Sequence, residues 1–346
     1  MENMHIFNIL NKPNVLKNMS DDQFEAWLPQ FAEALYNFGL VPLITYYNNT
    51  LKSDYDDYCD LTNRVIRENN IHSTNTVGLN IIRRHMPHIY EVQNHKGRSI
   101  ANSWTIETLM KVLRINRKSH STPYISEIVR QIGFVCGNSK VTMYRPLLTK
   151  RIVQYFGAKK ILDVCVGWGG RMLGSCCMED VHYTGIEPCT ATYKGLVSMC
   201  KSCNIENVHL FHDCAEVVLP TINEKFDLAI TSPPYYNLEL YSDEDSQSHN
   251  YGSYESWVEN FLRPVVFGVI DHLYENGKSV WSVKNFKTDK AYDLFDEIML
   301  LHAEKGWVKM DIEFNVGNPI RPGRKAHTNG ETRFGQEVTY VFTKEW

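Results

Sequence analysis

No stretch of this sequence is apolar for long enough to cross a lipid bilayer, which excludes a helical membrane protein. The first residues, Met-Glu-Asn-Met-His-Ile-Phe, lack the basic and then apolar pattern of a secretory signal. Internal repeats and low-complexity segments are also missing, so a repeat architecture is not indicated. We therefore expect an intracellular protein, located in the cytoplasm.

A strong excess of one charge is missing as well, since the net charge at pH 7 is only −4. Any basic surface must therefore be found in local patches. The nine cysteines, several of them inside apparent strands and helices, indicate reduced thiols and not a disulfide framework. The 346 residues, 43% hydrophobic and 22% charged, are typical of a globular protein, with room for either one large domain or a catalytic domain and an accessory one.

Two regions with different patterns follow one another along the chain. Residues 1–140 are mostly helical in pattern, and Ser20-Asp21-Asp22-Gln23 predicts the capped start of an amphipathic helix. Further helices are predicted near Tyr58 to Glu68, Trp104 to Leu113 and Ile125 to Ile132. Over residues 141–346 apolar strands alternate with helices, which predicts an α/β sheet covered on both faces.

Seven strands are predicted: Lys160 to Val166, His182 to Ile186, Asn207 to Phe211, Phe226 to Thr231, Lys278 to Val283, Val308 to Phe314 and Glu337 to Phe342. The last two have no helix between them, so we expect an antiparallel hairpin at the edge of a mixed, seven-stranded sheet.

A glycine-rich turn, Gly167-Trp168-Gly169-Gly170, follows the first strand of this region. Glycine lets the backbone turn tightly and lets a ligand approach without a Cβ in the way. The turn lacks the Gly-x-Gly-x-x-Gly spacing, and no lysine follows as in a phosphate-binding loop. A nucleotide-like ligand without a pyrophosphate fits it better, although such a turn is also common as a plain connection.

Polar side chains follow the next strands. Glu187, placed after the second strand, is where a doubly wound fold binds ribose hydroxyls, and Asp213, after the third, could accept a hydrogen bond from an adenine amino group. Either acid alone is more typical of a helix cap. Ligands of open α/β sheets bind along the edge formed by the carboxyl ends of the strands, so the three features together predict a cofactor cleft.

The fourth strand ends in Ser232-Pro233-Pro234-Tyr235. Two prolines stop a strand abruptly and remove two backbone donors. The turn that remains offers a serine hydroxyl, a proline carbonyl and an aromatic face, which can hold a flat base and accept hydrogen bonds from its amino group. A plain strand-terminating turn is the alternative for the Pro-Pro pair by itself.

From about Gly137 onward these residues resemble the DNA amino-methyltransferases, which use S-adenosylmethionine and methylate N4 of cytosine or N6 of adenine. The resemblance implies a Rossmann-like class I methyltransferase fold and a restriction-modification type of activity on a flipped base in double-stranded DNA. The Gly-Trp-Gly-Gly-Arg turn and the Ser-Pro-Pro-Tyr-Tyr-Asn-Leu-Glu loop are most similar to proteins of phages and large DNA viruses in this family. Unlike the usual Pro-Phe after the aspartate, this chain has Val164-Cys165, so the wall around the adenosine could differ.

The resemblance also implies roles for individual residues. The cofactor-binding positions are Asp163, Gly167, Trp168, Gly169, Glu187, Asp213 and Thr231, with Arg145 and Pro146 in the segment that covers the methionine end. The catalytic positions are Ser232, Pro233, Pro234 and Tyr235. Serine in the first position is commonest among the cytosine N4 enzymes, so cytosine is favoured over adenine. Methylation of RNA or of a protein amide, and an idle fold that only binds nucleic acid, stay open as alternatives.

Two cysteine motifs suggest other chemistry. Pro188-Cys189 has the dipeptide of cytosine C5 methylation, but it stands on the cofactor side and is interpreted as coincidence. Cys200-Lys201-Ser202-Cys203 lacks a second Cys or His pair at metal-binding spacing, so no metal is predicted.

Three elements are candidates for contact with DNA. Between Arg83 and His120 eight basic residues stand against two acids; the basic ones are Arg83, Arg84, Lys96, Arg98, Lys111, Arg114, Arg117 and Lys118. A second basic loop contains Arg321, Arg324 and Lys325. The aromatic and polar stretch Leu238 to Trp257 is interpreted as a mobile lid over the base and as too polar for the core. The sequence leaves open whether the protein is a monomer or a homodimer.

Overall fold

The computed structural model describes residues 6, 8–49, 52–72, 74–137, 141–317 and 337–345. The chain divides into two compact units. Met1–Lys52, Pro87–Val141 and Glu239–Tyr241 form the helical unit, and Ser53–Met86, Thr142–Leu238 and Ser242–Trp346 form the sheet unit. Thus residues 53–86, which belong to the N-terminal region by sequence pattern, fold with the sheet.

Helices with defined bounds are, in chain order, α1 (Asp21–Phe38), α2 (Leu40–Asn49), α3 (Asp54–Asn63), α4 (Leu79–His85), α5 (Ile106–Lys118), α6 (Ile125–Cys136), α7 (Pro146–Phe156), α8 (Gly170–Cys176), α9 (Thr190–Cys203), α10 (Ala215–Val218), α11 (Tyr254–Trp257), α12 (Arg263–Asp271) and α13 (Leu294–Glu304). A π-helical turn, Val258–Leu262, joins α11 to α12, and short 3₁₀ turns lie at Pro87–Tyr90, Leu219–Thr221 and Ser248–Tyr251.

The start of α1 was predicted correctly. The backbone N–H of Gln23 donates to Ser20 Oγ at 3.2 Å, and Gln23 Oε1 accepts from the Ser20 N–H at 3.1 Å, which is a complete capping box. The buried face of α1 carries Leu28, Phe31 and Leu35 and packs in the same apolar cluster as α5 and α6. This cluster is the core of the helical unit.

The main sheet of the sheet unit has eight strands: β1 (Asn70–His72), β2 (Lys160–Asp163), β3 (His182–Ile186), β4 (Val208–Phe211), β5 (Phe226–Thr231), β6 (Leu273–Val283), β7 (Trp307–Gly317) and β8 (Val338–Lys344). Their spatial order is β1-β7-β8-β6-β5-β2-β3-β4. Strands β2 to β6 are mutually parallel, whereas β8 runs antiparallel to both β6 and β7. The predicted Rossmann-like α/β fold with its antiparallel strand pair is confirmed.

The number of strands exceeds the predicted seven because β1 pairs in parallel with the end of β7. This strand contains only Asn-Ile-His and follows α3, which ends at Asn63 and not at Glu68 as expected. Three residues are too few to show a period, so the pairing depends on the partner strand.

Lys150 joins the α3 segment to the rest of the sheet unit. Its side chain is buried, and its ammonium donates to the backbone carbonyls of Leu61 at 2.9 Å, Thr62 at 2.6 Å and Arg64 at 2.9 Å. These carbonyls lie at the end of α3, where a helix leaves acceptors unpaired and favours a positive charge. Burial lowers the pKa of Lys150 from its usual value.

In the parallel strands, the side chains of consecutive residues lie on opposite faces of the sheet. Leu162 and Ala229 belong to the core on the side of α12 and α13, whereas Ile161 and Leu228 belong to the core on the side of α7, α8 and α9. The alternation follows from the two-residue period of a strand. Both faces are covered by helices, and sheets of this kind bind ligands along the carboxyl ends of their strands.

Close contact between α7 and α8 depends on Gly174. A Cβ at this position would lie 2.1 Å from the carbonyl oxygen of Pro146 and 2.8 Å from Thr149 Cβ. We expect Gly174→Ala to lower the free energy of unfolding by about 2 to 3 kcal/mol, because backbone atoms must move apart. Denaturant unfolding measures this change in the free energy of unfolding.

Gly133→Ala in α6 is the control. A Cβ at Gly133 would meet only Ile100 Cδ1 at 3.8 Å, so this variant should be neutral or stabilising by up to about 1 kcal/mol. Equal stability of Gly174→Ala and wild type would contradict the packing.

Among the helices of the described residues, none combines the length and the hydropathy that a membrane span requires.

Candidate active site

A buried ion pair lies directly behind the glycine-rich turn. Arg171 Nε donates to Asp163 Oδ2 at 2.7 Å, and both side chains are almost wholly inaccessible to solvent. Asp163 Oδ2 also accepts from the Tyr183 hydroxyl at 2.7 Å, and Asp163 Oδ1 accepts from the backbone N–H of Cys165 at 3.2 Å. The Asp163 carboxylate thus has protein groups as its partners, and it holds the first residues of the turn.

Arg171 holds the other side of the same turn. Its Nη2 donates to the backbone carbonyl of Cys165 and, at 3.4 Å, to that of Val166. Burial by itself lowers the pKa of Arg171, but the charge and hydrogen bonds of Asp163 outweigh it and raise that pKa. Sequence reasoning missed this residue. The available signal was an arginine in the first turn of a helix, where the helix dipole disfavours a cation unless a specific partner compensates.

The turn itself needs glycine at two positions. Gly167 and Gly169 have φ values of +57° and +84°, in the left-handed region. A Cβ at Gly169 would lie 2.8 Å from Leu196 Cδ2, whereas a Cβ at Gly167 would meet only the Cys165 carbonyl, at 3.9 Å. The space that a Gly167 side chain would occupy is therefore free, and a ligand can approach the Gly167 backbone there.

Glu187 follows β3 and faces the turn. Its Oε2 accepts from the Gly167 N–H at 2.8 Å and its Oε1 from the Cys189 N–H at 2.9 Å. The side chain is buried, and this burial, opposed in part by the two backbone donors, raises the pKa of Glu187 to about 7. Each oxygen keeps a second lone pair for a further donor.

The other predicted cofactor-binding residues also belong to the sheet unit. Asp213 is exposed after β4, and its Oδ1 accepts from the N–H of Cys214 at 2.7 Å. Trp168 is half-buried in the turn. Arg145 precedes Pro146 at the start of α7, and burial together with the charge of Arg83 lowers the pKa of its guanidinium. A second guanidinium therefore lies near Arg145.

The Ser-Pro-Pro-Tyr segment begins where β5 ends. Thr231, the last residue of β5, is buried and paired with Trp281 of β6, and Ser232 is half-buried. Tyr236, the next residue after the segment, has a φ of +39°. An aromatic residue in this region is strained, and such strain persists only where surrounding contacts maintain it.

Two hydrogen bonds hold the strained turn. The Leu238 N–H donates to the Tyr235 carbonyl at 2.7 Å, and the Ser248 hydroxyl donates to the Tyr236 carbonyl at 2.6 Å. We call residues 232–238 the acceptor turn. Its backbone conformation is set by these contacts and by the two prolines.

Tyr235 is buried and not open to solvent, with 7% of its surface exposed. Its ring lies edge-on to Phe286, with centroids 5.5 Å apart, and its hydroxyl donates to Glu337 Oε2 at 3.3 Å. The Lys284 ammonium lies 5.6 Å from the centroid of the ring. None of these three neighbours was identified from the sequence, because Lys284 and Phe286 follow β6 and Glu337 precedes β8, all of them far from Tyr235 along the chain.

The stretch after the acceptor turn was wrongly predicted to be too polar for the core. Trp257 is fully buried and Tyr254 nearly so, and both pack in the aromatic part of the core with Tyr236. The loop before them is tied down, since Glu244 accepts from the Thr190 N–H at 3.2 Å and Tyr251 donates to Glu216 at 2.8 Å. Acids and serines fill the loop itself, while the aromatic residues occur at helical spacing.

Several predicted DNA-binding arginines have partners inside the protein. In the sheet unit Arg84 pairs with Asp54, and Arg83 donates to Asn80 Oδ1 at 2.8 Å. The sequence count omitted Asp54 because it lies outside the basic stretch.

The same is true of arginines in the helical unit. Arg114 pairs with Glu25 at 2.7 Å, Arg117 donates to the carbonyls of Leu16 at 3.1 Å and Met19 at 2.8 Å, and Arg98 donates to the carbonyl of Cys136 at 3.0 Å. Lys96, Lys111 and Lys118 are exposed. Arg321, Arg324 and Lys325 lie outside the described residues.

The cysteines of the two alternative motifs are buried. Cys189 stands at the N-terminal cap of α9, and Cys200 and Cys203 lie on the buried side of that helix. Within the described ranges no group of histidine, cysteine and acidic side chains is arranged to hold a metal ion.

The parallel strands bring four of these features to one edge. Asp163 of β2 pairs with Gly185 of β3, and Ile186 of β3 pairs with Phe211 of β4. The glycine turn, Glu187, Asp213 and the acceptor turn thus follow the carboxyl ends of β2, β3, β4 and β5. The chain order reverses between β2 and β5, which is the switch point where open α/β sheets bind ligands.

No protein-family model matches the sequence, and no curated protein sequence matches it. Solved structures to which the chain is similar include an S-adenosylmethionine-dependent methyltransferase from Clostridium acetobutylicum, with 12% identity over 62% of this chain and 96% of that one and a TM-score of 0.41. TrmN from Thermus thermophilus has 11% identity over 58% of this chain and a TM-score of 0.40, and the match spans about half of that protein, 49%. An rRNA methylase from Streptococcus thermophilus has 11% identity over 60% of this chain and 100% of that one, with a TM-score of 0.37. The strand order of the main sheet defines the fold.

Proposed function

We propose that this protein is an S-adenosylmethionine-dependent methyltransferase that modifies the exocyclic amine of a nucleic-acid base, with N4 of cytosine in DNA as the favoured target. One observation carries the proposal. The acceptor turn stands at the end of β5, beside β2, whose end carries the glycine turn paired to Glu187. A turn able to accept from an amine and a turn able to hold a nucleoside thus share the switch point of the sheet.

The residues present suit this cofactor. Gly167 is open toward the cleft, and Glu187 is placed to accept from ribose hydroxyls with its remaining lone pairs. Asp213 would bind the adenine amino group, and Arg145 the methionine carboxylate. Asp163 and Arg171 would act indirectly, because they hold the turn from behind.

Chemistry at the acceptor turn follows from the weakness of the nucleophile. The lone pair of a cytosine or adenine amine is delocalised into the ring. The Ser232 hydroxyl oxygen and the Pro233 carbonyl would accept from the two amine protons and favour a more tetrahedral nitrogen. When bound, S-adenosylmethionine supplies an electrophilic methyl group. Alignment of two reactants can contribute roughly 7 to 11 kcal/mol, so the fixed turn could account for much of the acceleration.

Double-stranded DNA with a flipped base is the partner we propose. Flipping costs a few kcal/mol, and stacking on Tyr235 would offset part of it. The exposed lysines Lys96, Lys111 and Lys118 place positive charge on the helical unit, which we propose as the target-recognition region. Arg114 and Arg117 would contribute less, since acids of the same unit neutralise them.

The test is transfer of a labelled methyl group from S-adenosylmethionine to duplex DNA, RNA and protein in parallel. We expect incorporation into duplex DNA and recovery of N4-methylcytosine after digestion. Label confined to RNA or protein would refute the DNA substrate, and label in N6-methyladenine would refute the preference for cytosine. Absence of cofactor binding in calorimetry would refute the enzyme itself.

Cofactor affinity is expected to depend on pH through Glu187. Its pKa of about 7 in the protein lies above its ordinary value of 4.5, so the free protein loses stability as the pH rises between these values. Ribose hydroxyls donate to the ionised carboxylate, so binding should tighten from pH 6 to pH 8, by at most about tenfold per unit. Calorimetric titrations at several pH values measure this, and Glu187→Gln should abolish the dependence. A flat profile in the wild type would disprove the contact.

A further inference from the structure

Lys284 lies at the acceptor turn, at the carboxyl end of β6. Its ammonium is 5.6 Å from the centroid of the Tyr235 ring, within cation–π range, and its side chain is half-buried. Among the described residues no carboxylate forms an ion pair with it. Within the described ranges this cation therefore has no acidic partner, and it lies over the ring on which a target base would stack.

The backbone that carries Lys284 is fixed against the acceptor turn. Phe286 packs edge-on to Tyr235, and the Thr288 hydroxyl donates to Asn237 Oδ1 at 3.1 Å. Between them Asn285 Oδ1 accepts from the Phe295 N–H at 2.9 Å. Lys284 is thus held near Tyr235 by the fold, and only its flexible side chain is free to change position.

Stacking on Tyr235 requires that side chain to move. The Tyr235 hydroxyl is bonded to Glu337 and its edge is against Phe286, so the ring cannot easily turn away. A base that enters would displace the ammonium from the ring face to the edge of the base. There a lysine finds acceptors, since cytosine carries its carbonyl O2 and ring N3 beside the amine.

We propose that Lys284 is a positioning residue beside the acceptor turn. Its ammonium covers the Tyr235 ring in the free protein and donates a hydrogen bond to O2 or N3 of the cytosine that stacks there. The proposal rests on the function proposed above and assigns the substrate contact of that same site. A hydrogen bond from an ammonium to a carbonyl oxygen is stronger than a half-exposed cation–π contact, so the exchange favours the bound base. It also fixes the ring so that the amine meets Ser232.

Lys284→Met tests the proposal because methionine keeps the apolar stem and removes the charge. Fluorescence anisotropy would measure binding to two DNA duplexes, one with a mismatched cytosine and one with an abasic site at the same position. We expect Lys284→Met to bind the cytosine duplex about 10- to 100-fold more weakly and the abasic duplex nearly as the wild type does. Lys287→Met, at an exposed position three residues on, is the matched control and should match wild type on both.

Three results would overturn the proposal. The first is that Lys284→Met binds the cytosine duplex as tightly as the wild type does, and the second is that it loses affinity equally for both duplexes, which indicates a phosphate contact. The third is that the wild type binds the cytosine duplex and the abasic duplex equally well. Methyl transfer by the wild type is followed separately. If the wild type binds the cytosine duplex more tightly through Lys284 but transfers no methyl group, the proposed reaction is refuted and the Lys284–cytosine contact is supported. If the wild type transfers the methyl group and Lys284→Met binds as tightly as the wild type, the reaction is supported and the Lys284–cytosine contact is refuted.

Discussion

Ser232→Ala is expected to lower the rate of methyl transfer by about 10²- to 10³-fold while cofactor affinity stays close to that of the wild type. The range is that of losing one preorganised hydrogen-bonding group at a reacting centre. Ser232 follows directly on β5 and is half-buried, so the smaller side chain leaves the strand and its pairing intact. Single-turnover kinetics with labelled cofactor measures the rate, and calorimetry the affinity.

A matched variant separates the hydroxyl acceptor from mere packing. Ser232→Asn keeps an oxygen acceptor in a larger side chain and should retain more of the rate than Ser232→Ala. Unchanged turnover in Ser232→Ala would show that the hydroxyl is not the acceptor. If cofactor affinity falls together with the rate, the serine belongs to the cofactor half of the cleft.

Breaking the Asp163–Arg171 pair should have the largest effect on stability. Removal of one partner leaves a buried charge without compensation, which typically costs about 3 to 5 kcal/mol. We expect Arg171→Met and Asp163→Ala to lower the free energy of unfolding by this amount and to weaken cofactor binding, because Cys165 and Val166 lose their hydrogen bonds. Denaturant unfolding and calorimetry on the same samples measure both effects.

The double replacement Asp163→Leu with Arg171→Met serves as the control. With both charges removed, stability should recover in part, since a neutral buried pair carries no desolvation penalty. Cofactor affinity should stay low, because the turn still lacks its supports. Additive losses in the double variant would mean that the two side chains do not act as a pair.

Local pattern was sufficient for much of the fold. The capping box at Ser20 and the strands from His182 and from Phe226 begin where expected, because caps and two-residue alternation are properties of adjacent residues. The short strand Asn70–His72 was not predictable in this way. It exists only because β7 offers Asn315 and Val316 as pairing partners.

The basic stretch shows the limit of counting residues along the chain. Its surplus of positive charge was real in sequence, yet Glu25, Asp54 and the carbonyl of Leu16 come from elsewhere and occupy three of its arginines. Charge in a folded protein is set by neighbours in space, which a sequence window does not contain.

The sequence by itself determined that a glycine turn, two acids and a Ser-Pro-Pro-Tyr turn follow successive strands, because strand ends and turns are encoded by neighbouring residues. Only the tertiary structure decided that Arg171 supports the glycine turn, that Glu337 holds the Tyr235 hydroxyl and that Lys284 lies over the ring. Glu337 and Tyr235 are 102 positions apart in the chain, and their contact follows from the order of strands in the sheet. Sheet order is fixed by packing of both covered faces, which no local segment specifies.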